Sequence, residues 1–308
     1  MGFDLMTNKR YELRKQIKSV RWMIFWVVLA QLAAEMVVEA LTSFMKNPPH
    51  QYVQIALVEV LAIGVPIIVY ARSVWTSSGK DARREFWLNP CGIYFVVLAA
   101  LLGICGQFVM ILLNMPANIF SKVVLEQTGN DAVVTAQNGG EIFLGIIAVV
   151  IIPAVLEEFW MRGIIFSAYN KSNTIAAIFF TSIIFALLHL RLSEAFGFLL
   201  MGIVASFILI KSRSLYASMI YHAFSNLTAL MLTRFILPLL GDYIWFVFIA
   251  ASVGFLMLFA LLMIQKNKVN VNKHFRTRGL VIGSIFSLPV ILSAFIVVLK
   301  YFLINFIG

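Results

Sequence analysis

Hydrophobic residues make up 61% of this 308-residue chain and charged residues 12%, whereas a soluble globular domain carries about 25% charged residues, so the composition excludes such a domain. Of the 24 Lys and Arg residues behind the formal net charge of +10, 19 fall in alternate segments of the chain, which is the positive-inside pattern and argues against a nucleic-acid partner. The sequence therefore predicts an all-α, polytopic integral membrane protein with a cytoplasmic N-terminus.

Apolar stretches of roughly 20 residues, enough to cross a hydrocarbon core about 30 Å thick, recur along the chain and predict about eight or nine transmembrane helices. The first stretch, near Trp22, is too long for a signal-peptide core, so we expect it to be retained. A polar segment begins at Pro116 and separates the first three spans from the rest. The predicted spans are residues 20–45, 52–71, 91–114, 141–168, 173–190, 193–210, 214–236, 243–265 and 280–305.

Polar residues inside the apolar stretches are concentrated in the fourth to seventh spans. We therefore predict three parts: an N-terminal scaffold over residues 1–114, a catalytic core over 115–236 and C-terminal helices over 237–308. The basic segments between spans, which set the expected topology, are residues 1–21, 72–90, 162–172, 211–213 and 266–278.

The familiar soluble-enzyme motifs are missing from the sequence. It contains no glycine-rich phosphate loop, CxxC pair, HExxH or GxSxG pattern. Nucleotide-binding, zincin and serine-hydrolase chemistry are therefore not indicated.

Two adjacent carboxylates, Glu157 and Glu158, lie in the fourth span, and single histidines, His189 and His222, lie in the fifth and seventh. An ionisable side chain in lipid costs several kcal/mol unless it has a partner, so such residues indicate function. Together they predict chemistry within a membrane.

Distances along the helices place these groups at similar depth. With a rise of about 1.5 Å per residue, Glu157 and His189 lie about 20 and 25 Å from the polar turn at residues 170–173 that joins their spans. His222 lies about 13 Å from the basic turn at residues 211–213, which is on the same side. The groups converge near mid-membrane if the fourth, fifth and seventh helices are neighbours.

Spacing within each helix predicts which side chains act together. Residues four apart share a face, so His222 and Asn226 point the same way, and Glu158 can pair with Arg162. Glu157 is turned about 100° from Glu158, because an α-helix has 3.6 residues per turn. We therefore expect one carboxylate to take part in the reaction while the other is held by Arg162.

Hydrolysis is the chemistry that needs such groups. A buried carboxylate can take a proton from water, and a histidine can share that water or protonate a leaving amine. Neutral N–H donors can stabilise the oxyanion that develops on the scissile carbonyl. Since Asn226 does not titrate, binding that oxyanion together with His222 is the role expected for it.

Three patterns, Glu-Glu-x-x-x-Arg, Phe-x-x-x-His and His-x-x-x-Asn, occur in that order between Glu141 and Met231. This order on successive membrane helices resembles the CPBP intramembrane protease family. The family includes the CAAX prenyl endopeptidases of the Rce1 type and the bacterial Abi proteins linked to bacteriocin processing and self-immunity.

The resemblance implies a role for each matching residue. Glu157 would activate water with His189, Glu158 would support the site with Arg162, and His222 with Asn226 would form the oxyanion pocket. Phe185, which opens the second pattern, would support the site.

The resemblance also implies partners and a location. The partners would be membrane lipid and a peptide or membrane-protein substrate, and the location a bacterial plasma membrane. It implies no metal cofactor; a zinc site built from Glu157, His189 and His222 is the alternative, because catalytic zinc often takes three protein ligands and a water.

Other interpretations of the sequence remain open. A catalytically silent family member acting as a scaffold or in bacteriocin self-immunity would keep the same patterns, and an ion-coupled transporter also uses intramembrane Glu and His. Gln31, Glu35 and Glu39 recur every four residues, so their shared face either borders a polar cavity or meets water at the interface. Glu59 in the second span is equally undecided.

Overall fold

The computed structural model describes residues 2–78, 82–124, 138–189, 191–265, 272 and 277–306, and every regular element among them is helical. The predicted all-α class of a polytopic membrane protein is thereby confirmed. The longer helices are α1 (Gly2–Ser43), α2 (Gln51–Arg72, helical onward to residue 78), α3 (Ile93–Val124), α4 (Gly139–Asn170), α5 (Thr174–Leu188), α6 (Ala195–Ser212), α7 (Leu215–Met231), α8 (Ile244–Ile264), α9 (Thr277–Ile285) and α10 (Leu288–Phe306).

The described residues also form short helical segments, and two of the long helices contain π-helical turns. The α2 and α4 helices contain π-helical turns, where one residue more than usual is accommodated per turn. These turns are Val60–Gly64 in α2, and Ile146–Ile151 and Phe159–Phe166 in α4. The short pieces are Ala82–Glu85, Leu192–Glu194, Leu232–Ile236, Leu237–Leu240 and Gly241–Tyr243.

Each of the nine predicted spans coincides with helix, the ninth with both α9 and α10. By length and composition, six helices in the described part of the chain are able to cross a membrane, or seven if the α9–α10 pair, bent by 52°, is one span. The α5 helix has 15 residues and so measures about 22 Å, less than the hydrocarbon thickness. Since Phe180 and Phe185 of this helix are fully buried, protein surrounds much of it.

The third helix is longer than predicted. Instead of ending near Asn114 before the polar segment, α3 runs to Val124 with Pro116 inside it. Proline is tolerated within a membrane helix where neighbouring groups satisfy the backbone. Two residues before Pro116, Asn114 Oδ1 accepts a hydrogen bond from the Gly197 backbone N–H at 2.7 Å, and this bond anchors α3 to α6.

Small residues allow the central helices to approach closely. A Cβ atom added to Gly202 of α6 would lie 2.7 Å from the Cα of Ser182 in α5, and one added to Gly103 of α3 would lie 2.4 Å from the backbone oxygen of Tyr221 in α7. Contacts of this kind are typical of membrane helix packing, where no hydrophobic effect drives the helices together. The tight packing places α4, α5, α6 and α7 around one buried region.

The basic ends of the helices meet at one end of the bundle. Lys171 at the end of α4 pairs with Glu85, and Lys211 near the end of α6 donates to the backbone carbonyls of Met263 in α8 and of Gln265 directly after it. Arg21 of α1 donates to the hydroxyl groups of Tyr169 and Ser284. The described parts of the first four basic segments thus lie together, most of residues 266–278 lie outside the described residues, and the orientation in the cell stays a prediction.

Candidate active site

A fully buried ion pair lies at the centre of the helices. The side chains of Glu158 and Arg162 are 0% exposed, and Arg162 Nη1 donates to Glu158 Oε1 at 2.9 Å. Arg162 Nη2 donates to the Gly202 carbonyl at 3.1 Å, and the guanidinium carbon lies 4.9 Å from the centre of the Phe185 ring. The predicted i, i+4 pair is therefore present, and it joins α4 to both α5 and α6.

The carboxylate of Glu158 also holds His222. His222 Nδ1 lies 3.0 Å from the same Oε1 atom that accepts from Arg162. An ionised carboxylate only accepts hydrogen bonds, so Nδ1 carries the proton in this contact. Because Nδ1 is engaged, Nε2 of His222 is left to face the other carboxylate, Glu157.

His189 is oriented in the same way by a backbone group. Its Nδ1 lies 2.7 Å from the carbonyl oxygen of Phe185, and a carbonyl only accepts, so Nδ1 donates. The ring stacks on Phe198 of α6 with centroids 3.8 Å apart and an interplanar angle of 27°. These two contacts hold the imidazole so that its Nε2 is directed towards Glu157.

Glu157 faces both imidazoles. Its Oε2 atom lies 3.8 Å from His189 Nε2 and 3.9 Å from His222 Nε2. These separations exceed the 2.7–3.2 Å of a direct N–H···O hydrogen bond and suit a bridging water. Within the described residues, this buried oxygen has no hydrogen-bond partner.

Asn226 lies one turn beyond His222 and contacts the backbone of α4. Its Nδ2 donates to the Val149 carbonyl at 3.0 Å. Pro153, four residues after Val149, has no N–H to donate to this oxygen. The amide group keeps a second hydrogen, because a side-chain amide nitrogen has two.

The structure thus brings together Glu157, Glu158, Arg162, His189 and His222, with Phe185 against the guanidinium and both imidazole rings. The helices that carry them, α4, α5 and α7, are neighbours as expected. Asn226 lies on the same helix face as His222, although its contact is with Val149. The chemical roles assigned to these residues stay predictions.

Three groups at the site were not predicted from the sequence. They are Phe198, which stacks on His189, the Gly202 carbonyl, which binds Arg162, and Glu59 of α2, whose carboxyl group lies beside that of Glu157. The height of Glu59 could have been inferred from the sequence, because Glu59 lies about 20 Å along α2 from Arg72 and Glu157 lies about the same distance from the end of α4. Phe198 and Gly202 have no such signal in an apolar helix.

A metal site is not formed by these side chains. Among the residues described, no group of three or more His, Cys, Asp or Glu side chains is placed to hold a metal ion, and this includes the alternative zinc set of Glu157, His189 and His222. The absence of a cofactor remains a prediction.

The fold and the site define a helical membrane protein with a buried Glu and His cluster between its helices. Residues 139–228 match the family model described as type II CAAX prenyl endopeptidase Rce1-like, which confirms the resemblance carried by the three sequence patterns. The match spans less than a third of the chain and contains all of the predicted site residues. Neither a curated protein nor a solved structure matches this chain.

Proposed function

We propose that this protein is an intramembrane endopeptidase of the CAAX-protease type that hydrolyses a peptide bond with a water activated by Glu157. The observation that carries the proposal is the position of Glu157 Oε2, within 4 Å of the Nε2 atoms of His189 and His222. One water between these three atoms can donate one hydrogen to the carboxylate and one to an imidazole.

The reaction begins when the water oxygen attacks the scissile carbonyl carbon and Glu157 takes a proton from the water. The carbonyl oxygen becomes an oxyanion, which accepts the second amide hydrogen of Asn226. His222 adds a donor when its Nε2 is protonated, a state that Glu158 stabilises through Nδ1. The negative charge of the intermediate therefore has preorganised donors in a largely buried site.

Collapse of the intermediate breaks the carbon–nitrogen bond. The leaving amine receives the proton that came from the water, passed from Glu157 through His189, and the new carboxyl group stays on the other fragment. Glu158 does not take part in proton transfer, since Arg162 and His222 both bind it. Its role is to hold His222 in place.

The substrate that we propose is a membrane-associated peptide, such as a lipidated or leader peptide, or a segment of a membrane protein. The apolar bundle around the site supports this choice, since the scissile bond must reach a site between membrane helices. We also propose that the protein lies in a bacterial plasma membrane with its N-terminus in the cytoplasm, and the basic segments support this orientation.

The test compares membrane peptides from cells that carry the wild-type protein, Glu157→Gln or His189→Ala by mass spectrometry. We expect at least one peptide to accumulate uncut in both variants, because loss of a general base lowers the rate about 100- to 10,000-fold. Glu194→Gln is the matched control, since this glutamate pairs with Arg191 at the surface.

A Glu157→Gln variant that cuts as fast as the wild type would contradict the proposal. If the cellular phenotype is retained while no peptide differs between wild type and variants, the protein acts as a catalytically silent scaffold instead.

A further inference from the structure

A polar cavity opens between α1 and α2, at the end of these helices that is opposite to their basic ends. It has a volume of about 460 Å³, and Gln31, Glu35, Glu39 and Gln54 line it together with Glu59. So many polar side chains are unusual in a chain that is 61% hydrophobic. Of the two readings that the four-residue spacing on α1 leaves open, the structure therefore supports a polar cavity.

Glu59 joins this cavity to the candidate active site. Its carboxyl group lines the cavity and lies beside the carboxyl group of Glu157. A hydrogen bond between two carboxyl groups requires a proton on one of them, because an ionised carboxylate only accepts. The two adjacent groups can therefore be joined by one shared proton.

We propose that Glu59 is a positioning residue for Glu157, which it holds by a shared proton, and that the polar cavity supplies water to this pair. The inference rests on the proposed function. Glu59 acts through Glu157 and does not touch the scissile bond.

Charge explains why two carboxyl groups can be adjacent here. Two carboxylates in contact repel each other and each would need its own compensation in a membrane, whereas a pair with one shared proton carries a single negative charge. The other charged or titratable groups around the pair, among the residues that the structure describes, are Glu35 on α1, which is itself paired with Lys300 of α10, the ion pair of Glu158 with Arg162, and the two site histidines.

Geometry explains what the shared proton does for the reaction. A glutamate side chain has three rotatable bonds, and the contact with Glu59 fixes the carboxyl group of Glu157 while Oε2 remains directed at the imidazoles. Losing that alignment lowers the rate, since a misplacement of about 1 Å in a catalytic group can cost about 100-fold. A hydrolase between membrane helices also needs a route for water, and the polar lining of the cavity offers one.

The kinetic experiment measures cleavage of a substrate peptide by the purified full-length protein in lipid nanodiscs. We expect Glu59→Gln to lower kcat about 10- to 100-fold with KM unchanged, because substrate binding is untouched while the base is misaligned. Glu59→Asp, which can still share a proton, should recover part of the loss. Glu12→Gln, an exposed glutamate on α1, is the matched control and should behave as the wild type.

The pH profile of kcat separates this role from a merely structural one. Two coupled carboxyl groups titrate in two steps and the active pair holds one proton, so in the wild type uptake of a second proton gives the acid limb and loss of the shared proton contributes an alkaline limb. Glu59→Gln has no shared proton to lose, so its profile should keep the acid limb and lose this alkaline limb. An alkaline limb unchanged in Glu59→Gln, or a kcat equal to that of the wild type, would overturn the proposal.

Water in the cavity is tested without any activity measurement. In a background with Cys91→Ala and Cys105→Ala, Val58→Cys lines the cavity and should react with a membrane-impermeant maleimide, whereas Leu61→Cys at the exposed, lipid-facing surface of the same helix should not. Equal protection of both cysteines would overturn the water route. If the wild type cuts no peptide at all, the proposed function fails together with the positioning role of Glu59, and the labelling result still decides whether water fills the cavity.

Discussion

Removing the positive partner of the buried ion pair should strongly destabilise the protein. In Arg162→Met the carboxylate of Glu158 stays buried with His222 as its remaining partner, while the Gly202 carbonyl still accepts a hydrogen bond from the Ser206 hydroxyl. Breaking a buried pair from one side costs about 3–5 kcal/mol. This expected loss is a large part of the roughly 5–15 kcal/mol by which a typical domain is stable.

The measurement is the free energy of unfolding by SDS titration in mixed micelles, followed by circular dichroism. Lys171→Met is the matched control, because Lys171 and Glu85 form a partly exposed pair that should contribute about 0–1 kcal/mol. Glu158→Leu combined with Arg162→Met removes both charges, so it should recover most of the lost stability but no peptide cleavage. Equal losses for Arg162→Met and Lys171→Met would refute the reasoning.

Three further predictions concern packing, the oxyanion pocket and metal dependence. Gly202→Ala should destabilise the protein by about 1–3 kcal/mol in the same titration, because the new Cβ would meet the backbone of α5 at 2.7 Å, whereas Gly283→Ala, with nothing within 4 Å, should be neutral. Asn226→Ala should lower kcat about 100- to 1000-fold if the Asn226 amide binds the oxyanion. A loss of stability without a loss of kcat would show instead that Asn226 has only a structural role, through its hydrogen bond to the Val149 carbonyl. Incubation with a strong zinc chelator should leave the cleavage rate unchanged; a loss that added zinc restores would favour the metal alternative.

Much of the candidate site was predictable because it depends on local geometry. The pairing of Glu158 with Arg162 and the shared face of His222 and Asn226 follow from the 3.6-residue period of one helix. The similar depth of Glu157 and His189 follows from counting residues back to one turn. Such arguments need no knowledge of how the helix is rotated in the bundle.

The sequence could not predict contacts between helices that are not joined by a short turn. The meeting of Glu59 with Glu157, the stacking of Phe198 on His189 and the bond from Asn226 to Val149 all depend on which helices are neighbours and how each is rotated. A helix that is apolar on all sides shows no preferred face, so its rotation leaves little trace in the residue pattern.

By itself the sequence determined that the chain is a helical membrane protein, and it predicted which residues form the candidate site and at what height along their helices they lie. Those properties depend on the number of apolar residues, the positions of charges and the helical rise. Only the tertiary structure decided that Glu158 is held between Arg162 and His222 while Glu157 faces the imidazoles and Glu59. The physical reason is that close packing at small residues such as Gly202 and Gly103 sets helix neighbours and rotations, and these contacts join residues far apart in the chain.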